Sequence, residues 1–296
     1  MVHACQRRCL TRVLVNFQLF GKRQLIREMT REQFIAKGEE LSRKAQVLDT
    51  LHGYFRDSAS RLHRSYELFG LFSKPLGDVL EIGPFYGYIP FMLRPHSSSY
   101  TVLEGDDSAV YPLKPLYEEY SIGVSCVDFF ETFGPIWSAT HKLSLPDSAY
   151  DLILCWETME HFNFNPVKFV RELYRILKPG GRVCITVPNR ASFQSIVGLL
   201  CGRGEIATIN SYYHFENYQS SGKTAFYGFH WREYSAPELK HLFSEAGFKI
   251  LRSSSFVAFH DHGKPSILRQ FARTLSRAGT KLLPRCGTNV YLIATK

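Results

Sequence analysis

The run Asp78-Val79-Leu80-Glu81-Ile82-Gly83-Pro84-Phe85-Tyr86-Gly87 constrains the fold more than any other part of the chain. A short apolar strand passes into a glycine turn and then into a helix. A continuous apolar strand of this kind is covered on both faces only inside a mostly parallel sheet with helices on each side. The chain supplies the neighbours such a sheet needs. Strands are expected at Asp78–Ile82, Tyr100–Leu103, Gly123–Val127, Asp151–Trp156, Arg182–Val187, Phe248–Phe259 and Asn289–Ala294, with helical periodicity between them. One intervening helix is sharply punctuated. Asn165 caps it, Pro166 suits its first turn, and Val167, Val170, Leu173 and Leu177 form its apolar stripe before Lys178-Pro179-Gly180-Gly181 ends it. Another helix is expected over 235–247, closed by Gly247.

Ahead of the first strand the pattern is helical. Leu10, Val13, Leu14, Phe17 and Phe20 recur at helical spacing, and a second helical stretch runs from Arg31 to Phe69 until Lys74-Pro75-Leu76-Gly77 breaks it. This divides the chain into an N-terminal helical extension over 1–75 and a seven-stranded α/β domain over 76–296. An aromatic-rich insertion at about 202–231 interrupts the domain, with Tyr212, Tyr213, Phe215, Tyr218, Phe226, Tyr227, Phe229 and Trp231. The rings either pack a small lid core or form a platform for a sugar or aromatic ligand.

Charge sharpens the functional question. The net charge of +9 suggests nucleic acid, yet it is unevenly spread. Lys/Arg outnumber Asp/Glu by 14 to 7 over residues 1–75 and by 13 to 6 over 201–296, whereas residues 76–200 carry 9 against 14. A nucleic-acid groove would carry positive charge through the central module as well. The acidic centre suits a cationic ligand instead. No apolar run approaches the roughly 18–20 residues that cross a bilayer. Arg12, Asn16 and Gln18 interrupt the N-terminal apolar stretch, which therefore does not read as a signal peptide. Seven cysteines without a CxxC pair point to a reducing, cytoplasmic setting. Cys126, Cys155 and Cys184 are expected as small buried hydrophobes. Cys5 and Cys9 are too few for a metal centre, and no metal is expected.

Three carboxylates end three successive strands. Glu81 stands two positions before Gly83, where it would repel a pyrophosphate but suit an ammonium and a positive sulfur. Glu104 ends the second strand 17 residues after Gly87, where a carboxylate accepts both hydroxyls of a ribose. Asp128 ends the third and could accept from an adenine amino group.

These stretches resemble the class I S-adenosylmethionine-dependent methyltransferases, in the broad type 11 or ubiquinone-biosynthesis-like group. The resemblance is carried by VLEIGPFYG (79–87), VLEGD (102–106), LPDSAYDLILCWETMEHF (145–162), FVRELYRILKPGGRVCITVPN (169–189) and HWREYSAPELKHLFSEAGF (230–248). It implies a Rossmann-like sheet with helices on both faces and S-adenosyl-L-methionine as cofactor. By the same resemblance Glu81, Gly83, Pro84, Phe85 and Gly87 would cradle the methionine part, Glu104 the ribose and Asp128 the adenine, with the backbone at Cys155 and Trp156 against the cofactor. Phe85 departs from the pattern, which has glycine there; its Cβ restricts φ, and its ring must turn from the cofactor or line the pocket.

His161, after the fourth strand, and His230, after the insertion, stand where an acceptor would be met. The expected activity is O-methylation of a sugar, glycolipid intermediate or secondary metabolite. Quinone or phenol O-methylation is an alternative, RNA methylation a weaker one, and a non-catalytic S-adenosylmethionine-binding protein a fourth. Against RNA stands Cys155-Trp156-Glu157-Thr158, which is not the Asn/Asp-Pro-Pro-aromatic turn used on base amines. In the helix expected over 266–283, Arg269, Arg273, Arg277 and Lys281 form a basic face, with Leu268, Phe271, Leu275 and Leu282 on another. The apolar side is expected to pack on the domain and the basic side to meet solvent, an anionic membrane surface or a phosphate-bearing substrate.

Overall fold

The computed structural model describes residues 29–45, 49–71, 75–105, 107–134, 142–202, 209, 230–259 and 267–296. Two helices come first, α1 (Arg31–Ala45) and α2 (Asp49–Phe69). The alternating region follows as β1 (Asp78–Ile82), α3 (Ile89–Leu93), β2 (Ser99–Glu104), α4 (Asp107–Val110), α5 (Lys114–Glu119), β3 (Gly123–Cys126), α6 (Phe129–Phe133) and β4 (Tyr150–Trp156). It continues through α7 (Pro166–Ile176), β5 (Leu177–Pro188), α8 (Phe193–Leu200), α9 (Ala236–Glu245), β6 (Lys249–Phe256), α10 (Ile267–Leu282) and β7 (Asn289–Thr295). The strands form one sheet in the order β3-β2-β1-β4-β5-β7-β6. The first five are parallel, and β7 runs antiparallel to both β5 and β6.

Side chains alternate across this sheet, and both faces are covered. Val79, Leu152 and Leu154 point into one apolar cluster, while Leu80, Ile82, Ile153 and Cys155 point into the other. The second cluster is closed by α7 and α9 through Phe169, Val170, Leu173, Leu239 and Phe243. The first is closed by the N-terminal helices through Phe34, Leu41, Phe55, Leu62 and Tyr66. Helices α1 and α2 therefore build part of the core on one face of the sheet.

The helical stretch expected over 31–69 is two antiparallel helices. Phe34 stacks on Phe55 with ring centroids 5.9 Å apart and meets His63 edge-on at 5.4 Å, and Arg31 donates to the Ser60 hydroxyl. Gly38 leaves room for the Phe55 ring against α1. A single helix of this length would reach about 58 Å at 1.5 Å per residue and leave those aromatics uncovered. Folding back buries them.

The cap of α7 is as expected, with Asn165 accepting from the Val167 N–H at 3.0 Å. The break at 178–181 is a different matter. Leu177–Pro188 is one strand, and Gly180, at φ 78°, turns the backbone within it while the register shifts between Tyr150 and Leu152. Cys155 and Cys184 are fully buried, but Cys126 is exposed because β3 is an edge strand. Helix α10 corrects another expectation. Ser276 and Gly279 form its inward face, with Gly279 against the Phe193 ring, whereas Leu275 and Leu282 are 47% and 83% exposed. Small residues permit the close approach, and the leucines are turned out. Residues 1–28 and most of the aromatic insertion lie outside the described residues.

Candidate cofactor and acceptor site

The site lies at the carboxyl ends of β1, β2 and β4, where an open parallel sheet leaves its ligand crevice. Gly83 leaves β1 at φ 65°, and a Cβ there would stand 2.5 Å from Cγ2 of Thr158. The loop after β4 thus leans directly on the glycine turn. Thr158 Oγ1 also lies 3.2 Å from the Ile82 carbonyl and 3.0 Å from that of Trp156. At the far end of the turn the Gly87 N–H donates to the carbonyl of buried Pro84 at 2.9 Å.

Phe85 adopts φ 45°, the left-handed conformation that a glycine takes freely. Its N–H donates to Glu104 Oε2 at 3.1 Å, and its ring meets Tyr54 and Tyr86 edge-on at 4.9 and 4.5 Å. Glu104 also accepts from the Gly105 N–H at 3.0 Å. The carboxylate that ends β2 is therefore tied to the turn that ends β1. Glu81 is 1% exposed and accepts from the Tyr100 hydroxyl at 2.5 Å. Burial pushes its carboxyl up to about 8 against the opposing pull of that hydrogen bond, and the Glu104 charge adds to the rise. Asp128 lies two residues beyond β3, and its carbonyl accepts from the Thr132 N–H as α6 begins. Cys155 points into the core from a strand paired on both sides, and burial raises its thiol. Trp156 packs edge-on against Phe69 at 5.5 Å, its buried Nε1 without a hydrogen-bond partner.

The loop after β4 carries two buried acids. Glu157, at φ 50°, donates its N–H to the Thr186 carbonyl at 2.8 Å. Its Oε2 accepts from Arg61 Nη1 at 3.1 Å and from Asn289 Nδ2 at 2.9 Å. Burial, followed by the charge of Glu157, holds the Glu160 carboxyl well above the usual carboxylate range. The Glu160 carbonyl accepts from the Trp231 N–H at 2.7 Å, which draws the segment after the insertion onto this loop. His161 and His230, 69 positions apart in sequence, consequently sit edge-on with ring centroids 5.1 Å apart. His230 Nδ1 is 3.1 Å from Glu233 Oε1.

The sequence expectations missed four residues here: Tyr54, Arg61, Glu157 and Asn289. Glu157 was visible as an acid in the loop after the fourth strand. Arg61 looked like one more cation on a basic extension, since its partner is 96 residues away.

The family of proteins with a methyltransferase domain matches residues 52–253. A protein of Mycolicibacterium smegmatis named a probable S-adenosylmethionine-dependent methyltransferase is 26% identical over 186 residues, covering 63% of this chain and 56% of its own length. A similarly named protein of Mycobacterium tuberculosis is 25% identical over 171 residues, 58% of this chain and 48% of its own. The chain thus spans about half the length of these relatives. Among solved structures, a chain of the complex between the Haloferax volcanii Trm112 methyltransferase activator and a candidate methyltransferase superposes with TM-score 0.52 at 16% identity, covering 89% of this chain and 97% of that one. An S-adenosylmethionine-dependent methyltransferase of Archaeoglobus fulgidus gives 0.51 at 16%, covering 81% and 97%. Sheet order, glycine turn and matched stretch agree: the chain belongs to the methyltransferase-domain family, with the class I fold of the S-adenosylmethionine-dependent enzymes.

Proposed function

We propose that the protein transfers the methyl group of S-adenosylmethionine to a hydroxyl oxygen of a sugar, glycolipid intermediate or secondary metabolite. The observation that carries this reading is the meeting of His161 and His230 on the loop that Thr158 presses against the glycine turn. Two imidazoles there suit an oxygen acceptor better than a buried apolar one.

The residues present fit the cofactor. Gly83 keeps side-chain bulk out of the turn, and the Glu104 carboxylate, tied to the turn through the Phe85 N–H, stands at the end of β2 where ribose hydroxyls would donate. Glu104 and Asp128 put negative charge near a cationic ligand, and Glu81 adds a buried carboxyl below the turn. Held by the turn and Glu104, S-adenosylmethionine would supply an electrophilic methyl group, its C–S bonding pair going to sulfur and the acceptor hydroxyl's proton to water. Glu104 and the turn orient one reactant, and the loop at 157–161 positions the other.

Helix α10 supports the glycolipid form of the reading. Arg273 and Arg277 lie over the Phe259 ring at 5.3 and 5.6 Å, and Leu275 and Leu282 face solvent. Basic groups beside exposed leucines suit an anionic lipid surface. No helix among the described residues is long and apolar enough to cross a membrane.

The test is transfer of labelled methyl to glycolipid, sugar and phenolic extracts, with the product fragmented by mass spectrometry. His161→Ala is expected to lower turnover at least 100-fold while calorimetric affinity for S-adenosylmethionine is unchanged. A folded protein with no affinity for S-adenosylmethionine would overturn the proposal.

A further inference from the structure

We infer that Glu160, His161 and His230 bind one divalent transition-metal ion on the acceptor side of this site. One ligand atom from each lies within 4.8 Å of the others, close enough for a single ion to bridge them. The sequence alone suggested no metal, because the three become neighbours only when the segment after the insertion docks on the loop after β4.

Three further observations point to a cation. Glu160 is 1% exposed, and its Oε2 is buried with no hydrogen-bond partner. A buried acceptor left unpaired is costly, and a metal ion is the ligand that would satisfy it in a pocket edged by imidazoles. The His230 Nδ1–H donates to Glu233, which leaves a lone pair on Nε2, the usual arrangement of a ligating histidine. The geometry is also held from the backbone. The Glu160 carbonyl accepts from the N–H groups of Trp231 and Arg232 at 2.7 and 3.3 Å, so the two ligand-bearing segments are stitched together beside the metal position. The neighbouring cation, Arg61, is engaged with Glu157 and Ser58.

Two imidazoles and a carboxylate suit zinc, iron(II) or cobalt(II) better than magnesium or calcium, which take oxygen ligands. Three protein ligands leave a coordination position open. Its role rests on the methyl-transfer reading: a substrate hydroxyl bound there loses its proton to water, and the metal-held oxygen forms the new bond to the methyl carbon. The histidines then act as ligands, and no side-chain base is needed.

The experiment is titration of the metal-free protein with cobalt(II), followed by visible absorption. One ion per chain is expected. Binding should weaken at least tenfold in Glu160→Gln and in His230→Ala, and about tenfold in Glu233→Gln. His230, with a side chain 42% exposed, is the variant least able to disturb folding. Calorimetry with S-adenosylmethionine on the same preparations separates the two readings. A protein that binds S-adenosylmethionine but not cobalt(II) overturns the metal site, as does binding that both Glu160→Gln and His230→Ala leave unchanged. Metal binding lost in those variants, in a protein without affinity for S-adenosylmethionine, supports the metal site and overturns the methyl-transfer reading instead.

Discussion

The ring of Tyr54, on the second N-terminal helix, meets the ring of Phe85 edge-on at 4.9 Å, at a turn residue whose φ is 45°. The helix thereby holds in place a side chain whose backbone would relax elsewhere. Left-handed φ costs a residue with a Cβ about 1–2 kcal/mol, and an aromatic pair returns about 0.5–1.5 kcal/mol beyond its buried area.

Replacing Phe85 should therefore invert the usual order of alanine and glycine. Phe85→Ala keeps the strain and loses the ring, whereas Phe85→Gly loses the ring and the strain together. Urea denaturation is expected to find the glycine variant more stable than the alanine one by about 1 kcal/mol. The opposite order would mean that the turn does not adopt this conformation.

Gly83 makes the complementary case. Its φ of 65° and the 2.5 Å approach of a Cβ to Thr158 combine backbone strain with a steric clash. Gly83→Ala should lower affinity for S-adenosylmethionine at least tenfold, because the turn and the loop after β4 must separate. Calorimetry reads this directly. Thr158→Ala in the same background should restore part of the loss.

Stability should fall as pH rises through neutrality, and Glu81 sets the window. Its carboxyl titrates near 4.5 when unfolded and about 8 when folded. Between those values the folded chain retains a proton that the unfolded chain has released, so alkalinity favours unfolding. The slope approaches about 1.4 kcal/mol per pH unit within the window and vanishes beyond it. Urea midpoints at pH 5, 6, 7 and 8 should decline for the parent protein, and Glu81→Gln should flatten that decline.

Arg61 and Glu157 form an ion pair at 3.1 Å with side chains 12% and 3% exposed. Removing one member of such a pair leaves an uncompensated buried charge. Arg61→Met is expected to destabilise by about 3–5 kcal/mol, and Arg61→Met with Glu157→Gln by clearly less. Equal losses in the single and double variants would show that the charges do not interact. Lys178 offers the contrast. Its bridges to Asp78 and Asp151, both 2.7 Å, are about one-third or more exposed, and Lys178→Ala should cost no more than about 1 kcal/mol.

The strands of the sheet were legible because each is short, apolar and bounded by turn residues; β1 falls at the expected residues, and β2, β4 and β7 within one or two positions of them. The places of the glycine turn after β1 and of Glu104 at the end of β2 were legible too, since they depend on local spacing. What escaped the sequence depends on long-range contact. The fold-back of α2 onto α1 is dictated by Phe34 meeting Phe55, and periodicity is the same whether a helix continues or reverses. Leu275 and Leu282 looked inward because hydrophobicity was the only guide, whereas Ser276 and Gly279 won the inner face by letting α10 approach Phe193. His161 and His230 were visible singly, and their meeting depends on the Trp231–Glu160 backbone bond.

The carboxylate of Glu157 gathers an arginine from 96 residues before it and an asparagine from 132 residues after it. One partner comes from the helices that precede the sheet, the other from the first residue of the strand that joins β6 to the rest. The loop after β4 is therefore held from both remote ends of the described chain. Opening either segment leaves one side of a buried carboxylate unpaired, so a loosening at one end of the described chain is felt at the other.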